Sequence, residues 1–341
     1  MTVRTDDLNL PRTSGDFEAA QRDCDAIIDA VGGVFVGNRI LLRKVLAAAL
    51  ANGHVLFEDL PGLGKTLLAK VIARSIGCGF TRVQFTPDLL PADILGTKIW
   101  RQNDGTFEIV KGPIFTRVLL ADEINRAPPK TQSALLEAME ERQVTIEGET
   151  YPIGSPFIVL ATQNPIEQEG TYPLPEAQLD RFMLRLSTGY PGSLEAEQEI
   201  LSRRITWRSD DPSSSVSDVV EADRFRQLQD LVESAVYVDP TILEYIGRLV
   251  RSTREHAKIE VGASPRGGLA LLKAARALAV IHGRDFVVPD DVKSVATDAL
   301  SHRVILRTEI VIEGTVDSSV VQEIVDSTPV PTELKRKPAP A

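Results

Sequence analysis

Glu58-Asp59-Leu60-Pro61-Gly62-Leu63-Gly64-Lys65-Thr66 is the stretch that decides the fold. It follows His54-Val55-Leu56-Phe57, an apolar run that reads as a buried parallel strand. It precedes Leu67-Leu68-Ala69-Lys70-Val71-Ile72-Ala73-Arg74, whose apolar residues recur with a helical period. Strand, glycine loop, Lys-Thr and helix together form a phosphate-binding loop. Gly62 and Gly64 permit backbone angles that let successive N–H groups converge on phosphate oxygens. The helix that follows offers its positive dipole end to the same anion. Lys65 supplies a point charge for the β- and γ-phosphates, and the Thr66 hydroxyl can ligate Mg2+. The general pattern asks for glycine at position 59, and this chain has Asp59. A chance Gly-Lys-Thr at an ordinary helix start is the plain alternative, and the strand–helix context argues against it.

Further motifs lie at strand ends. Val118-Leu119-Leu120-Ala121 is a buried strand, and Asp122-Glu123 follow it at the carboxyl edge where α/β proteins bind ligands. Asp122 suits the Mg2+ shell, and Glu123 suits orientation and polarisation of an attacking water. Ala161-Thr162-Gln163-Asn164-Pro165 closes the next strand. Asn164 is the first choice for a polar contact to that water or to the γ-phosphate, with Thr162 the weaker candidate; Asn-Pro is also an ordinary turn start. Arg181, in Leu179-Asp180-Arg181-Phe182, could neutralise transition-state charge or be a surface arginine beside an acid. Arg266 begins a helix that Ser264 could cap with Pro265 in its first turn, and it is a second candidate for phosphate contact.

The rest of the chain bounds the reading. With 341 residues, 43% hydrophobic and 25% charged, it has a soluble globular balance and length for about two domains. A net charge of -10 and a pI near 5.1 disfavour nonspecific nucleic-acid binding. No apolar run reaches the roughly 20 residues that span a bilayer, and the first residues lack a signal-peptide core, so a cytoplasmic protein is expected. Cys24 and Cys78 have neither metal-ligand spacing nor disulfide logic and are expected to be small hydrophobes. Strands are expected at 82–85, 157–161 and 183–186, and hairpins at 99–110 and 143–153, beside helices ending near Gly53 and at 130–142. Strands alternating with helices predict a parallel α/β sheet flanked by helices. Composition shifts near Tyr190-Pro191-Gly192, and helical patterns follow at about 223–236, 240–257, 265–283 and 289–300. The expected division is a disordered tail over 1–16, an α/β core over 17–190, a helical domain over 191–328 and a second disordered tail over 329–341.

In this order the motifs resemble an AAA+ ATPase, an α/β P-loop core with a C-terminal helical lid. Residues 121–139, from Ala121-Asp122-Glu123-Ile124-Asn125-Arg126 to Met139, resemble the MoxR family closely. So do residues 161–182, Gln84-Phe85-Thr86-Pro87-Asp88-Leu89-Leu90-Pro91, and Gly262-Ala263-Ser264-Pro265-Arg266. An acidic residue in place of the first P-loop glycine is a tendency of that family. The resemblance implies that Asp59 through Leu67 hold the nucleotide, with Lys65 and Thr66 as the Walker A pair and Asp122 and Glu123 as Walker B. It implies Asn164 as sensor 1, Arg181 as the arginine finger, Arg266 as sensor 2, and Val36-Gly37 as the segment near adenine. It makes the first hairpin the helix-2 insert and the second the pre-sensor insert. It further implies ATP and Mg2+, a homo-hexameric ring, and chaperone-like remodelling with a von Willebrand factor A domain protein and a client complex; the acidic charge and the lack of a long apolar run add the expectation of no nucleic acid and no membrane insertion. The rival readings are a DNA motor, which the acidic charge opposes, and a nucleotide-gated scaffold without turnover, which intact Lys65, Asp122, Glu123 and Arg181 oppose.

Overall fold

The computed structural model describes residues 14–102, 105–165, 170–209 and 211–332. Helices α1 (Ser14–Val34) and α2 (Arg39–Leu50) lead into β1 (Val55–Glu58) and α3 (Lys65–Ser75). Strands β2 (Phe80–Gln84), β5 (Val118–Asp122), β8 (Ile158–Gln163) and β9 (Leu184–Leu186) join β1 in one parallel sheet of order β2-β5-β8-β1-β9. Between them lie α4 (Pro91–Leu95), the antiparallel hairpin β3 (Gly96–Arg101) and β4 (Thr106–Lys111), and α5 (Pro129–Glu141). A second antiparallel hairpin, β6 (Gln143–Ile146) and β7 (Glu149–Pro152), and the short α6 (Glu176–Leu179) complete this part.

The sheet residues alternate between two apolar clusters, as a pleated strand requires. Val55, Phe57, Val118, Leu120, Ile158 and Leu160 face the side of α1, α2 and α3. Leu56, Leu119, Ala121, Val159 and Ala161 face the side of α5 and the second hairpin. Coverage on both faces explains the unbroken apolar runs of β1, β5 and β8. Each run ends in a less buried polar residue, and the register aligns them: Glu58 opposite Gln163, and Gln84 opposite Asp122. One sheet edge thus carries the chemistry.

Beyond β9 the chain is almost all helix: α7 (Leu194–Trp207), α8 (Ala222–Ala235), α9 (Pro240–Glu255), α10 (Pro265–Ile281), α11 (Pro289–Leu300), α12 (Thr308–Ile312) and α13 (Asp317–Ser327). A small antiparallel pair, β10 (Ile259–Val261) with β11 (Ile305–Leu306), joins α9 to the region after α11. Helix α10 packs on α2 and α11, and its buried face continues the apolar cluster of α1–α3. Helix α7, 14 residues long, buries none of its side chains.

The stretch expected to be disordered through residue 16 is helical from Ser14, because Phe17 and Ala20 are buried against the core; residues 1–13 lie outside the described residues. The tail expected from 329 is described only to 332. Cys24 and Cys78 are free and buried, and burial pushes their thiols up to about 12 and about 11. Among the described residues, no helix is long and apolar enough to cross a membrane.

Candidate functional site: a nucleotide cleft at the sheet edge

The loop between β1 and α3 is shaped by glycine: Gly62 and Gly64 lie at φ +81° and +77°, the left-handed region that side chains resist. The loop separates two cavities. One, of about 300 Å3, is lined by Lys65, Thr66, Asp122, Glu123, Thr162 and Asn164, among others. The other, of about 790 Å3, is lined by Val36, Gly37 and Leu67, by Thr188 and Gly189, and by α7 through Ala196 and Ile200. Gly62, Leu63 and Gly64 border both. A Cβ at position 37 would come within 2.2 Å of the Phe35 ring, so a larger residue there would have to displace that ring.

Within the smaller cavity, Lys65 sits at the first turn of α3 with its Nζ donating to the carbonyls of Leu60 (2.7 Å) and Asp59 (3.2 Å). Burial pushes the Lys65 ammonium below its ordinary pKa, against the opposing pull of Asp59, Asp122 and Glu123. Asp59 itself points elsewhere. Its carboxylate is buried and accepts from Ser187 Oγ (2.5 Å), Thr188 N (2.6 Å) and Thr188 Oγ1 (3.0 Å).

The acids at the end of β5 are held by a network. Thr162 Oγ1 donates to Asp122 Oδ1 (2.6 Å) and accepts from Glu123 N (2.8 Å). Arg82 donates to Asp122 Oδ2 from Nε (2.9 Å) and Nη2 (2.7 Å). Glu123 lies in the left-handed region at φ 57°, ψ 49°, an uncommon conformation for a residue with a side chain. That kink turns the chain out of β5 into a short 3-10 turn, Ile124–Arg126. The Glu123 carboxylate then accepts from Gln84 Nε2 (2.8 Å) and Arg126 Nη1 (2.9 Å). Sequence reasoning missed Gln84, Arg82 and Arg126 as site residues. Gln84 ends β2 at the same edge as the acids, which is the signal that could have found it.

The donors fit a magnesium nucleotide. A threonine hydroxyl and a carboxylate are the hard oxygen ligands Mg2+ takes beside phosphates and water, and Thr66 and Asp122 border one cavity. The glycine loop and the start of α3 supply the anion-binding backbone.

Arg181 and Arg266 are not in this cleft. Arg181 Nη1 donates to Leu136 O (2.6 Å) and pairs with Glu140 Oε2 (2.9 Å). Arg266, in the first turn of α10, pairs with the other oxygen of the same Glu140. Ser264 accepts from Arg266 N (3.1 Å), the expected cap, and donates to Asp180 Oδ2 (3.0 Å). Asp180 also holds the buried Arg303 at 2.7 Å. Thus the two arginines share one glutamate, which ties α10 to α5, and neither lines the cavities on either side of the phosphate loop.

Comparison with known proteins agrees with this geometry. Residues 54–184 match the ATPase family associated with various cellular activities (AAA), and residues 251–324 match the AAA lid domain. Protein YeaC of Bacillus subtilis is 47% identical over 90% of this chain and 94% of its own length. Chaperone MoxR1 of Mycobacterium tuberculosis is 42% identical over 87% of this chain and 80% of its own. Protein MoxR of Paracoccus denitrificans is 33% identical over 85% and 90%. The crystal structure of a candidate ATPase from Cytophaga hutchinsonii superposes with a TM-score of 0.85 at 40% identity, covering 93% of this chain and 98% of that one. With its parallel P-loop core, its helical lid and these relatives, the chain belongs to the MoxR family of AAA+ ATPases.

Proposed function

We propose that this chain binds ATP with Mg2+ in the cleft around the 58–66 loop, hydrolyses it, and uses the cycle to remodel a partner protein complex. The observation that carries the reading is the convergence of Lys65, Thr66, Asp122 and Glu123 on one cavity at the carboxyl edge of a parallel sheet. Backbone N–H groups of the glycine loop and the Lys65 ammonium hold the phosphates. Thr66 and Asp122 hold Mg2+, which when bound neutralises phosphate charge. Glu123 takes the proton side of an attacking water, with Gln84 and Arg126 fixing its carboxylate. Thr162 steadies Asp122 and the Glu123 backbone together, and Asn164, which lines the same cavity, contacts the water or the γ-phosphate in this reading. Val36, Gly37 and Leu67 form the wall for the base.

Arg181 and Arg266 complete the site of a neighbouring copy in a ring, a hexamer by family resemblance. Neither lines the cleft of its own chain, and their shared Glu140 partner is consistent with this assignment. The working division is a core to residue 190 and a lid from 191 to 328, in a cytoplasmic protein. A relative named as a chaperone supports client remodelling, and a von Willebrand factor A domain protein is the expected companion.

Phosphate release from Mg-ATP by the purified chain tests the reading. The wild type turns over, Lys65→Ala does not bind, and neither single- nor double-stranded DNA accelerates turnover at physiological salt. Capture of partners with a hydrolysis-blocked form then names the client. Strong stimulation by DNA would overturn the remodelling assignment in favour of a motor.

A further inference from the structure

Asp59 is the one departure of this phosphate loop from the general glycine pattern, and its geometry assigns it work that glycine cannot do. Its backbone belongs to the loop: Asp59 N donates to Gln163 O (3.3 Å), at the end of β8, and Asp59 O accepts from Lys65 Nζ (3.2 Å). Its carboxylate leaves the loop and grips the segment just after β9. Oδ1 accepts from Ser187 Oγ at 2.5 Å and meets Gly189 N at 3.4 Å, while Oδ2 accepts from Thr188 N at 2.6 Å and Thr188 Oγ1 at 3.0 Å. The residue is only 6% exposed, so these charge-assisted hydrogen bonds form where water competes little.

The gripped segment has two neighbours. Thr188 and Gly189 line the 790 Å3 cavity together with Gly62, Leu63 and Gly64. A few residues later, Ser193 caps α7, whose Ala196, Glu197, Glu199 and Ile200 close the same cavity. Helix α7 buries no side chain of its own. Its far half is tied to the core through Arg203, which donates to Gly32 O at 2.8 Å, and through Trp207. Its near half hangs from the strap of residues 187–193, and Asp59 holds that strap.

We propose that Asp59 is a positioning residue: it clamps the 187–189 strap to the phosphate loop and thereby sets α7 as the wall of the nucleotide cavity. One carboxylate then links the cradle around Lys65 to the wall around the base, and nucleotide binding and α7 placement rise or fall together. This rests on the nucleotide reading of the cleft. It also means that restoring the pattern glycine harms this site.

The test measures the affinity for a fluorescent ADP and the backbone amide exchange of residues 188–200, with and without ADP. In the wild type, ADP slows exchange over that segment. In Asp59→Asn, whose amide offers one acceptor oxygen and no charge where the carboxylate offers two charged oxygens to Ser187, Thr188 and Gly189, and in Asp59→Gly, exchange there rises and ADP affinity falls about tenfold or more. The double variant Ser187→Ala/Thr188→Val leaves Asp59 in place and carries the test if the Asp59 variants fail to fold; it gives the same pattern to a lesser degree. In the absence of ADP, exchange over α3 is the same in the variants as in the wild type. A wild type that binds no ADP overturns the nucleotide reading itself. A wild type that binds ADP, beside variants with unaltered affinity or unaltered exchange over 188–200, overturns the role of Asp59 alone.

Discussion

Gln84 Nε2 donates to Glu123 Oε2 at 2.8 Å, joining the end of β2 to the acid that follows β5. Glu123 is the carboxylate assigned to the attacking water, so this amide decides where it points. Arg126 holds the same oxygen at 2.9 Å from the opposite side in sequence. Removing the amide leaves the carboxylate with less to orient it, while the phosphate loop is untouched. Gln84→Ala therefore lowers kcat about tenfold, the worth of roughly one hydrogen bond to a charged group, with nucleotide affinity nearly unchanged. Steady-state kinetics beside direct ADP binding check the split; an equal loss in both would mean that Gln84 shapes the cleft rather than the acid.

Arg181 and Arg266 share Glu140, outside the cleft of their own chain. If Arg181 serves a neighbour, Arg181→Ala binds ATP and hydrolyses it poorly, by about 10³ in rate as in related phosphoryl-transfer systems. Lys65→Ala fails differently, with its own cleft broken and its arginine intact. Mixing the two inactive variants restores part of the activity, more so at higher protein concentration. Mixed assemblies without any activity at any ratio would make Arg181 a structural arginine.

His54 supplies a pH dependence of stability. It is buried just before β1, with Nδ1 accepting from Val159 N (3.0 Å) and Nε2 beside Met139 O (3.3 Å). Burial, aided by the Arg142 charge, pushes its pKa down from 6.5 to about 3. The unfolded chain then binds the proton first as pH falls. Stability is fully present above pH 6.5 and is lost below it toward pH 3, at up to about 1.4 kcal/mol per pH unit. His302, buried and pushed in the same direction, adds to the trend. His54→Gln, which can keep both backbone contacts, flattens the wild-type slope. Denaturant midpoints at pH 7 and pH 5 measure this, and equal slopes would remove His54 from the account.

Much of this architecture is legible in the sequence because local signals and global fold agree. The strands β1, β5 and β8 are unbroken apolar runs ending in Glu58, Asp122 and Gln163, and the parallel register turns those endings into one edge. Ser264-Pro265 announces the start of α10, and Ser264 caps it. What escaped sequence reading depends on distance. The partners of Asp59 lie 128 to 130 residues away. Glu140 looks like any glutamate on a helix until Arg181 and Arg266 reach it from separate elements. Helix α7 escaped for another reason. Leu194, Leu201 and Ile205 are 69%, 66% and 76% exposed, so its apolar residues form no core-facing stripe to read.

The central claim is that the acids at the end of β5 hydrolyse a nucleotide held by the loop before α3. Glu123→Gln tests it most directly, because the amide keeps the size of the side chain and removes the base. Nucleotide affinity and single-turnover phosphate release are measured side by side. The account predicts wild-type affinity with hydrolysis lowered by about 10² or more. Near-normal turnover in that variant would contradict it.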